Sequence, residues 1–179
     1  MACRQLLDQI LTLERQLSDT ESILHSAVAS HAELAPTLAL IQSVPGVGFI
    51  TAVTIVCECG DITRFDSIDE LNSYAGLCPR VSQSGQTVHH GHISKQGPPL
   101  LRWVLQQAVW VAIRTDPNAR RLYTRIARRA GSKKAATAVG RKLLSYAWSI
   151  CRQGHPFLWP GTDPRKAGPG AVPVWSFEI

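Results

Sequence analysis

The sequence predicts a mainly α-helical protein, and three observations support that fold class. Apolar residues recur at helical spacing through most of residues 1–158, with Gly, Pro and capping residues between successive segments. A hydrophobic content of 45% is sufficient for a buried core. Beyond about residue 159 the chain becomes rich in Pro and Gly. We therefore expect a linker helix over residues 1–35, a helical domain over 36–158 and an extended tail over 159–179.

The sequence gives no indication of a membrane partner. No apolar run approaches the roughly 20 residues that a membrane-spanning helix needs. Asp8, Glu14 and Asp19 interrupt the apolar pattern of the N-terminus, and no small-residue cleavage site follows it. A signal peptide is therefore not expected.

The first 35 residues carry the heptad pattern of a coiled coil. The seam alternates spacings of four and three residues and comprises Leu6, Ile10, Leu13, Leu17, Thr20, Leu24, Ala27, His31 and Leu34. A single helix cannot bury such a stripe alone. We therefore expect a homo-oligomer formed through this helix, or a partner helix from the rest of a longer protein. Packing against the later helices of the same chain is the alternative.

A helix-hairpin-helix element is predicted for residues 38–59. Helices over 36–42 and about 49–59 should flank the turn VPGVG. The inward residues of the second helix should be Ala52, Val53, Val56 and Cys57. Gly46 and Gly48 would allow backbone amides to approach a phosphate at the start of that helix. An ordinary αα-hairpin that binds no phosphate is the alternative.

Two further helices should follow on either side of an irregular segment. Ser67 and Glu70 form a capping box that opens a short helix ended by Gly76. The pair Pro98-Pro99 should open the central core helix, which runs to about Arg114. Its inner residues should be Leu100, Leu101, Val104, Leu105, Ala108, Val111 and Ala112.

The last two helices of the domain should begin at Asp116-Pro117 and at Ser132. The inner face of the first should consist of Ala119, Leu122, Tyr123, Ile126 and Ala130. Ser132 should cap the second, which runs to about Arg152. Its apolar positions include Ala138, Val139 and Leu143.

Positive charge is concentrated in residues 80–159, which carry 14 basic side chains and 1 acidic one, a net charge of +13. On the last two helices the cations form two stripes, Arg121, Arg125 and Arg128 on one and Lys134, Arg141 and Arg152 on the other. A field of this density predicts a polyanionic partner, with the stripes clamping nucleic-acid phosphates. A basic face that only maintains solubility is the alternative.

The segment 76–97 is too rich in Gly, Ser, Pro and His for a long helix, so we expect an irregular loop or a short β-hairpin with Ser84-Gly85 near its tip. Ser84 is either an ordinary turn residue or a nucleophile. A nucleophile needs activation and charge stabilisation. The nearby side chains that offer both are Arg80, His89, His90, His92, Lys95 and Arg102.

No metal site is predicted in this chain. The five cysteines have no paired CxxC spacing and are best interpreted as reduced, mostly buried thiols. A zinc site made of Cys57, Cys59, Cys78 and a loop histidine is the alternative, although its spacing is unlike that of structural zinc sites. A histidine cluster in the loop is a second alternative.

From about Leu38 to Arg152 the chain resembles the C-terminal transposase domain of the insertion-sequence one-ten (IS110-type) family. Four segments carry the resemblance in the family's order: IQSVPGVGFITAVTIVCECGDITRF at 41–65, YAGLCPRVSQSG at 74–85, GHISKQGPPLLRWVLQQA at 91–108 and KLLSYAW at 142–148. The family combines an RNase-H-like domain, which carries four metal-binding acids, with a coiled-coil linker and this helical domain. The resemblance places residues 1–35 at the end of that linker.

The resemblance implies that Ser84 attacks a DNA phosphodiester and forms a covalent phosphoserine link, with Ser82 as the alternative register. Arg80, Lys95 and Arg102 are the candidates for stabilising the pentacovalent phosphate. The family further implies DNA as substrate, an element-encoded bridge RNA as a second partner and a bacterial cytoplasmic location.

Nothing in the chain matches the RNase-H-like domain, so Mg²⁺ is implied only for that domain and no cofactor is expected here. We therefore expect a transposase fragment that does not complete recombination alone. Two hypotheses follow. Either Ser84 is the nucleophile of a recombinase that needs the metal domain in cis or in trans, or the chain is a non-catalytic nucleic-acid-binding module. A coiled-coil partner that modulates a full-length transposase is a third, less favoured option.

Overall fold

A computed structural model describes the backbone of residues 2–84, 87–158 and 172–173, and the side chains of residues 3–79 and 93–157. The chain divides into two compact units, Met1–Thr37 and Leu38–Ile179. As predicted, the architecture is mainly helical. Along the described part of the chain, no helix is both long enough and apolar enough to span a membrane.

The first unit is dominated by α1 (Ala2–Ala29), which is shorter than the linker helix that the heptad pattern predicted over residues 1–35. The Ser30 hydroxyl and His31 Nδ1 both contact the Ala27 carbonyl, at 2.6 and 2.9 Å, and the helix ends there. His31 and Leu34 therefore do not continue the seam on α1. The large apolar residues Leu6, Ile10, Leu13 and Leu17 are all exposed.

The helical hairpin forms as predicted, from α2 (Leu34–Gln42) and α3 (Phe49–Cys59). The buried stripe of α3 follows Ala52, Ile55 and Cys59, at spacings of three and four. Cys57, which was predicted to point inward, is exposed. The helix is apolar on almost every side, so its pattern alone could not identify the buried face.

A short 3₁₀ turn (Ile62–Arg64) leads to α4 (Ile68–Tyr74). The predicted cap is present, because the Ser67 hydroxyl accepts a 3.2 Å hydrogen bond from the Glu70 amide. The Glu70 carboxylate accepts from the Asp66 amide at 2.9 Å. This acidic segment is joined to the last helix by Trp148, whose indole Nε1 donates to the Phe65 carbonyl at 3.0 Å.

The predicted hairpin consists of β1 (Pro79–Ser84) and β2 (Thr87–Ile93), paired antiparallel. Ser84 lies opposite Thr87, and Ser82 lies opposite His89. The register is irregular between Pro79 and Val81. Ser84 is therefore at the loop end of β1, as the sequence predicted.

Three helices form the bundle: α5 (Pro99–Thr115), α6 (Pro117–Ala130) and α7 (Ser132–Gln153). Leu101, Leu105 and Ala112 of α5 and Leu144 and Ala147 of α7 are fully buried. The core therefore lies between α5, α7 and α3, with α5 central as predicted.

Several details of the bundle differ from the prediction. Leu100, Val111 and Ala130 are exposed, since they lie on the outer sides of α5 and at the end of α6. Ser132 is the first residue of α7 and does not cap it. Gly131, with φ +87°, ends α6 and starts α7, so Ser132 already lies within the first turn.

Beyond α7, the short strands β3 (Phe157–Leu158) and β4 (Val172–Pro173) pair in parallel. The Phe157 amide donates to the Ser43 hydroxyl at 2.7 Å, which joins the end of the bundle to the residue after α2. The rest of the predicted tail lies outside the described residues.

Candidate functional site

The base of the β-hairpin is fixed to α5 by Arg102. Its Nη1 atom donates to the Ala75 carbonyl at 3.2 Å and to the Gly97 carbonyl at 2.8 Å. The chain enters the hairpin just after residue 75 and leaves it just before residue 97. One guanidinium group therefore holds the two ends of the hairpin segment together.

Backbone hydrogen bonds extend the hairpin below its strands. The Ser94 amide donates to the Cys78 carbonyl at 2.8 Å, and the Lys95 amide donates to the Gly76 carbonyl at 3.2 Å. Lys95 adopts a positive φ of 55°, which is uncommon for a residue with a side chain. A Cβ on Gly76 would come within 2.9 Å of the Gln96 carbonyl oxygen. The base of the hairpin is thus closely packed.

Five of the predicted site residues lie on the strands themselves. Ser84, Arg80, His89, His90 and His92 belong to β1 or β2, and their side chains lie outside the described residues. The backbone places Ser84 at the loop end and Arg80 at the irregularity in β1. Their catalytic roles stay predictions.

A groove of about 420 Å³ runs beside the base of the hairpin. Its walls are α5 and the first six residues of α7, and Leu77, Ile93 and Lys95 contribute from the hairpin segment. The other lining residues are Arg102, Trp103, Gln106, Trp110, Ser132, Lys133, Ala136 and Thr137. Two of the predicted phosphate-binding residues, Lys95 and Arg102, therefore line the same groove.

The arginine stripe on α6 is exposed. Arg121, Arg125 and Arg128 recur at spacings of four and three and all have exposed side chains. Arg120, in contrast, donates to the Ile113 carbonyl at 3.0 Å and to the Arg114 carbonyl at 2.9 Å, where α5 ends. The predicted stripe is therefore open to solvent, while Arg120 has a structural role.

The cations of α7 are arranged differently. Arg141 forms a salt bridge with Asp69 at 3.7 Å. Arg152 donates to the Asp66 carbonyl at 3.2 Å and lies over the Trp148 ring at 4.9 Å. Lys134 is exposed in the first turn. Two of the three members of this stripe thus contact the chain's own acidic segment.

The two glycines of the helical hairpin have different surroundings. Gly46 adopts φ +83°, and a Cβ there would come within 2.6 Å of the Ala108 oxygen and of the Ala112 nitrogen. Gly46 therefore allows the turn to pack against the backbone of α5. Gly48 is exposed at the N-cap of α3, and a Cβ there would meet nothing within 4 Å. Phosphate binding by either glycine stays a prediction.

The cysteines do not form the alternative zinc site. Cys57 is exposed and Cys59 is buried, and among the described side chains no three His, Cys, Asp or Glu residues come close enough to hold a metal ion. Burial raises the pKa of the Cys59 thiol to about 11. Burial and the charge of Asp61 raise the pKa of Cys151 to about 11. Both are therefore protonated thiols at neutral pH.

Sequence reasoning missed the two tryptophans of the groove. The side chains of Trp103 and Trp110 are 57% and 47% exposed, although α5 was interpreted as a largely buried helix. The sequence did indicate their exposure. The two residues lie seven positions apart with Gln106 between them, and other apolar residues of the same helix had already been assigned to its core face. Large aromatic and amide side chains on the same face should have indicated a binding surface.

Comparison with known proteins matches residues 38–124 to the model of the family described as the transposase IS116/IS110/IS902 family. The matched span contains the helical hairpin from the middle of α2 onward, the β-hairpin, α5 and the first half of α6. It therefore includes Ser84, Lys95 and Arg102.

Three curated relatives illustrate the similarity. An insertion element IS110 protein of Streptomyces coelicolor is 28% identical over 152 residues, covering 83% of this chain and 36% of the relative. The pilin gene-inverting protein of Moraxella bovis is 34% identical over 128 residues, or 70% of this chain and 40% of the relative. The transposase for insertion sequence element IS1111A of Coxiella burnetii is 33% identical over 115 residues, or 62% and 31%.

The chain thus spans no more than about 40% of the length of these relatives. The matched residues 38–124 lie within the unit Leu38–Ile179, which carries the hairpin, the groove and the basic helices. On this combined support, the chain belongs to the IS116/IS110/IS902 transposase family, of which it represents the C-terminal region.

Proposed function

We propose that this chain is the DNA-binding C-terminal part of a transposase or site-specific recombinase and that Ser84 is its nucleophile. The observation that carries the proposal is the position of the hairpin. Its base is fixed to α5 by Arg102 and borders a groove that contains Lys95 and Lys133. The strand that ends at Ser84 is therefore anchored beside cations that suit a phosphate backbone.

In the proposed reaction, the Ser84 Oγ attacks the phosphorus of a DNA phosphodiester. A bond between Oγ and phosphorus forms, and the bond from phosphorus to one sugar oxygen breaks. The proton of the serine hydroxyl passes to the departing oxygen, directly or through water. The phosphoserine diester retains the energy of the broken bond, so a second DNA hydroxyl can reverse the step and reseal a strand.

Charge develops on the non-bridging oxygens in this step, and cations would stabilise it. Lys95 is exposed at the base of the hairpin, and Arg102 lies next to it in the groove wall. Because Arg102 already donates two hydrogen bonds to backbone carbonyls, its first role is to hold the hairpin. Because Lys95 lies at the base of the hairpin and Ser84 at its loop end, we assign Lys95 to a phosphate further along the DNA backbone, and Arg80 on β1 as the candidate nearer to the reacting phosphate.

The proposed reaction also needs a metal-binding domain, and the residues of this chain are not assigned to it. The four acids that the family resemblance implies are not found among the described side chains, where no three candidate ligands cluster. We propose that such a domain acts with this chain, in cis or in trans, and supplies Mg²⁺. A guide RNA is a second proposed partner for the basic helices.

Self-association is proposed for α1. Leu6, Ile10, Leu13 and Leu17 expose more than half of each side chain on one heptad seam. Burying such a seam in a coiled coil would stabilise an oligomer. Sedimentation of the chain with and without residues 1–33 tests this. If the number of subunits per particle is the same in both proteins, α1 is not the interface.

A covalent trapping experiment tests the nucleophile. The full chain is incubated with a nicked suicide DNA, with and without Mg²⁺ and a full-length family transposase carrying its own serine-to-alanine change. We expect a protein–DNA adduct that survives denaturation, disappears in Ser84→Ala and persists in Ser82→Ala. Loss of the adduct in Ser82→Ala alone would move the nucleophile to that residue.

The second candidate function is a non-catalytic nucleic-acid-binding module. The exposed arginines of α6 favour it independently of Ser84. In that case no adduct forms under any of these conditions, while salt-sensitive DNA binding is the same in the wild type and Ser84→Ala.

A further inference from the structure

We propose that the groove between α5 and the start of α7 binds an unstacked base of single-stranded nucleic acid. The inference rests on the proposed nucleic-acid binding and specifies the form in which the strand reaches the hairpin. It draws on four observations: exposed aromatic rings, cations around them, an amide between them, and the size of the groove.

The aromatic rings provide the stacking surface. Trp103 and Trp110 lie two turns apart on the same face of α5, about 10 Å along its axis. Their side chains are 57% and 47% exposed. The Trp110 ring contacts Tyr123 of α6 edge-on, with ring centroids 6.0 Å apart. That contact orients Trp110, while much of its surface and of Trp103 faces the groove or solvent.

The charges around the groove fit a nucleic-acid strand better than an apolar peptide. Lys95, Arg102 and Lys133 line it, and none of the described lining residues is a carboxylate. An aromatic surface surrounded by cations is the arrangement with which proteins bind single strands, since bases stack on the rings and phosphates contact the cations.

The groove volume of about 420 Å³ accommodates a base and part of its sugar. The Gln106 side chain lies between the tryptophans and can both donate to and accept from a base edge. A base within a duplex is stacked on both faces and cannot enter. The groove therefore selects unpaired nucleotides.

The groove lies at the opposite end of the hairpin from Ser84. Ile93, the last residue of β2, and Lys95 belong to its lining, so the groove meets the base of the hairpin. A six-residue strand such as β1 spans about 20 Å to Ser84. The groove would therefore hold a nucleotide some distance from the attacked bond and position the strand.

Fluorescence anisotropy with three probes tests the proposal: a 12-nucleotide oligo(dT), a 12-nucleotide oligo(U) and a 12-base-pair DNA duplex. The full chain is compared with Trp103→Ala, Trp103→Phe and Leu100→Ala. Leu100 is the matched control because it is exposed on the same helix but does not line the groove. Thermal unfolding and sedimentation accompany each variant.

We expect Trp103→Ala to weaken single-strand binding by about 5- to 150-fold, the range for one lost stacking contact. Duplex binding should change by less than about 2-fold, and Trp103→Phe should retain most of the affinity. Leu100→Ala should behave like the wild type. Unequal affinity for oligo(dT) and oligo(U), with the same dependence on Trp103, would identify DNA or RNA as the preferred strand.

Three results would overturn the inference. One is unchanged single-strand affinity in Trp103→Ala, while the wild type still binds DNA, which would leave the proposed function standing. A second is an equal loss for the duplex and the single strands. A third is a change in assembly state without a change in affinity, which would make the groove a protein interface. If the wild type binds none of the probes in a salt-sensitive way, the proposed function and this inference both fail.

Discussion

The two consecutive basic helices α6 and α7 use their cations in different ways. On α6, Arg121, Arg125 and Arg128 are exposed along one stripe. On α7, Arg141 contacts the Asp69 carboxylate and Arg152 contacts the Asp66 carbonyl. The sequence patterns of the two stripes are similar, but only the first remains fully open to a partner.

The difference arises from what packs against each helix. Helix α7 packs against the segment that contains the 3₁₀ turn and α4, where four of the five acids of residues 36–79 lie. That segment engages the arginines at the middle and the end of α7. The exposed cations of the bundle consequently include Arg121, Arg125 and Arg128 of α6, together with Lys133 and Lys134 in the first turn of α7. A charge stripe in a sequence therefore does not show which charges are available for binding.

The largest expected effect comes from reversing the charges of α6. The triple change Arg121→Glu, Arg125→Glu and Arg128→Glu should weaken duplex DNA binding by at least about 100-fold in 0.1 M salt, because three phosphate contacts are lost and replaced by repulsion. Anisotropy titration measures the affinity, and circular dichroism checks the fold. A loss of less than about 5-fold would place the DNA elsewhere.

The buried Asp116 fixes the start of α6, and its removal should have the next largest effect. Its carboxylate accepts a 2.8 Å hydrogen bond from the Asn118 amide as the cap of the helix. Asp116→Ala should lower the free energy of unfolding by about 1–2 kcal/mol. Asp116→Asn, which keeps an acceptor, should lose less. Equal losses in urea denaturation of the two variants would show that the cap hydrogen bond is not the stabilising feature.

Alkaline pH should weaken the packing of α7, because it ionises the Cys151 thiol. Burial and Asp61 raise the pKa of Cys151 from about 9 in the unfolded chain to about 11. A thiol that stays protonated only in the folded state stabilises it fully below pH 9, and that contribution is lost as the pH rises through 11. We therefore expect stability to fall over this range, and to fall less in Cys151→Ala. A pH dependence that is identical in the two proteins would contradict this.

The smallest expected effect concerns the ion pair that occupies Arg141. The Asp69 side chain is 90% exposed, and a surface pair at 3.7 Å contributes only a few tenths of a kcal/mol. Asp69→Asn should therefore leave thermal stability almost unchanged. It should raise DNA affinity by about 2-fold, since Arg141 becomes available. No gain in affinity would indicate that Arg141 faces away from the bound DNA.

The sequence predicted the parts of the fold that local chemistry determines. The bounds of α3, the cap formed by Ser67 and the start of α5 at Pro99 follow from Gly, Ser and Pro at fixed positions. The position of Ser84 near the tip of a hairpin was also indicated, since Ser-Gly between two polar arms is typical of a turn.

The wrong predictions concern side chains whose exposure or partners depend on tertiary packing. Cys57 and Leu100 are apolar residues on helices with more apolar surface than the core accepts, so their exposure depends on which neighbours arrive. Trp103 and Trp110 were overlooked for the same reason. The partners of Arg141 and Arg152 come from residues more than 70 positions away, and helical periodicity contains no information about them.

The salt dependence of DNA binding distinguishes whether α6 or α7 contacts the DNA phosphates. Each phosphate contact contributes about 0.9 to the slope of log affinity against log salt concentration. Replacing Arg121, Arg125 and Arg128 by Gln should reduce that slope by about 2.7. Replacing Lys134, Arg141 and Arg152 by Gln should reduce it by about 1 or less. Equal reductions, or a larger one for the α7 variant, would contradict the assignment of α6 as the DNA-contacting helix.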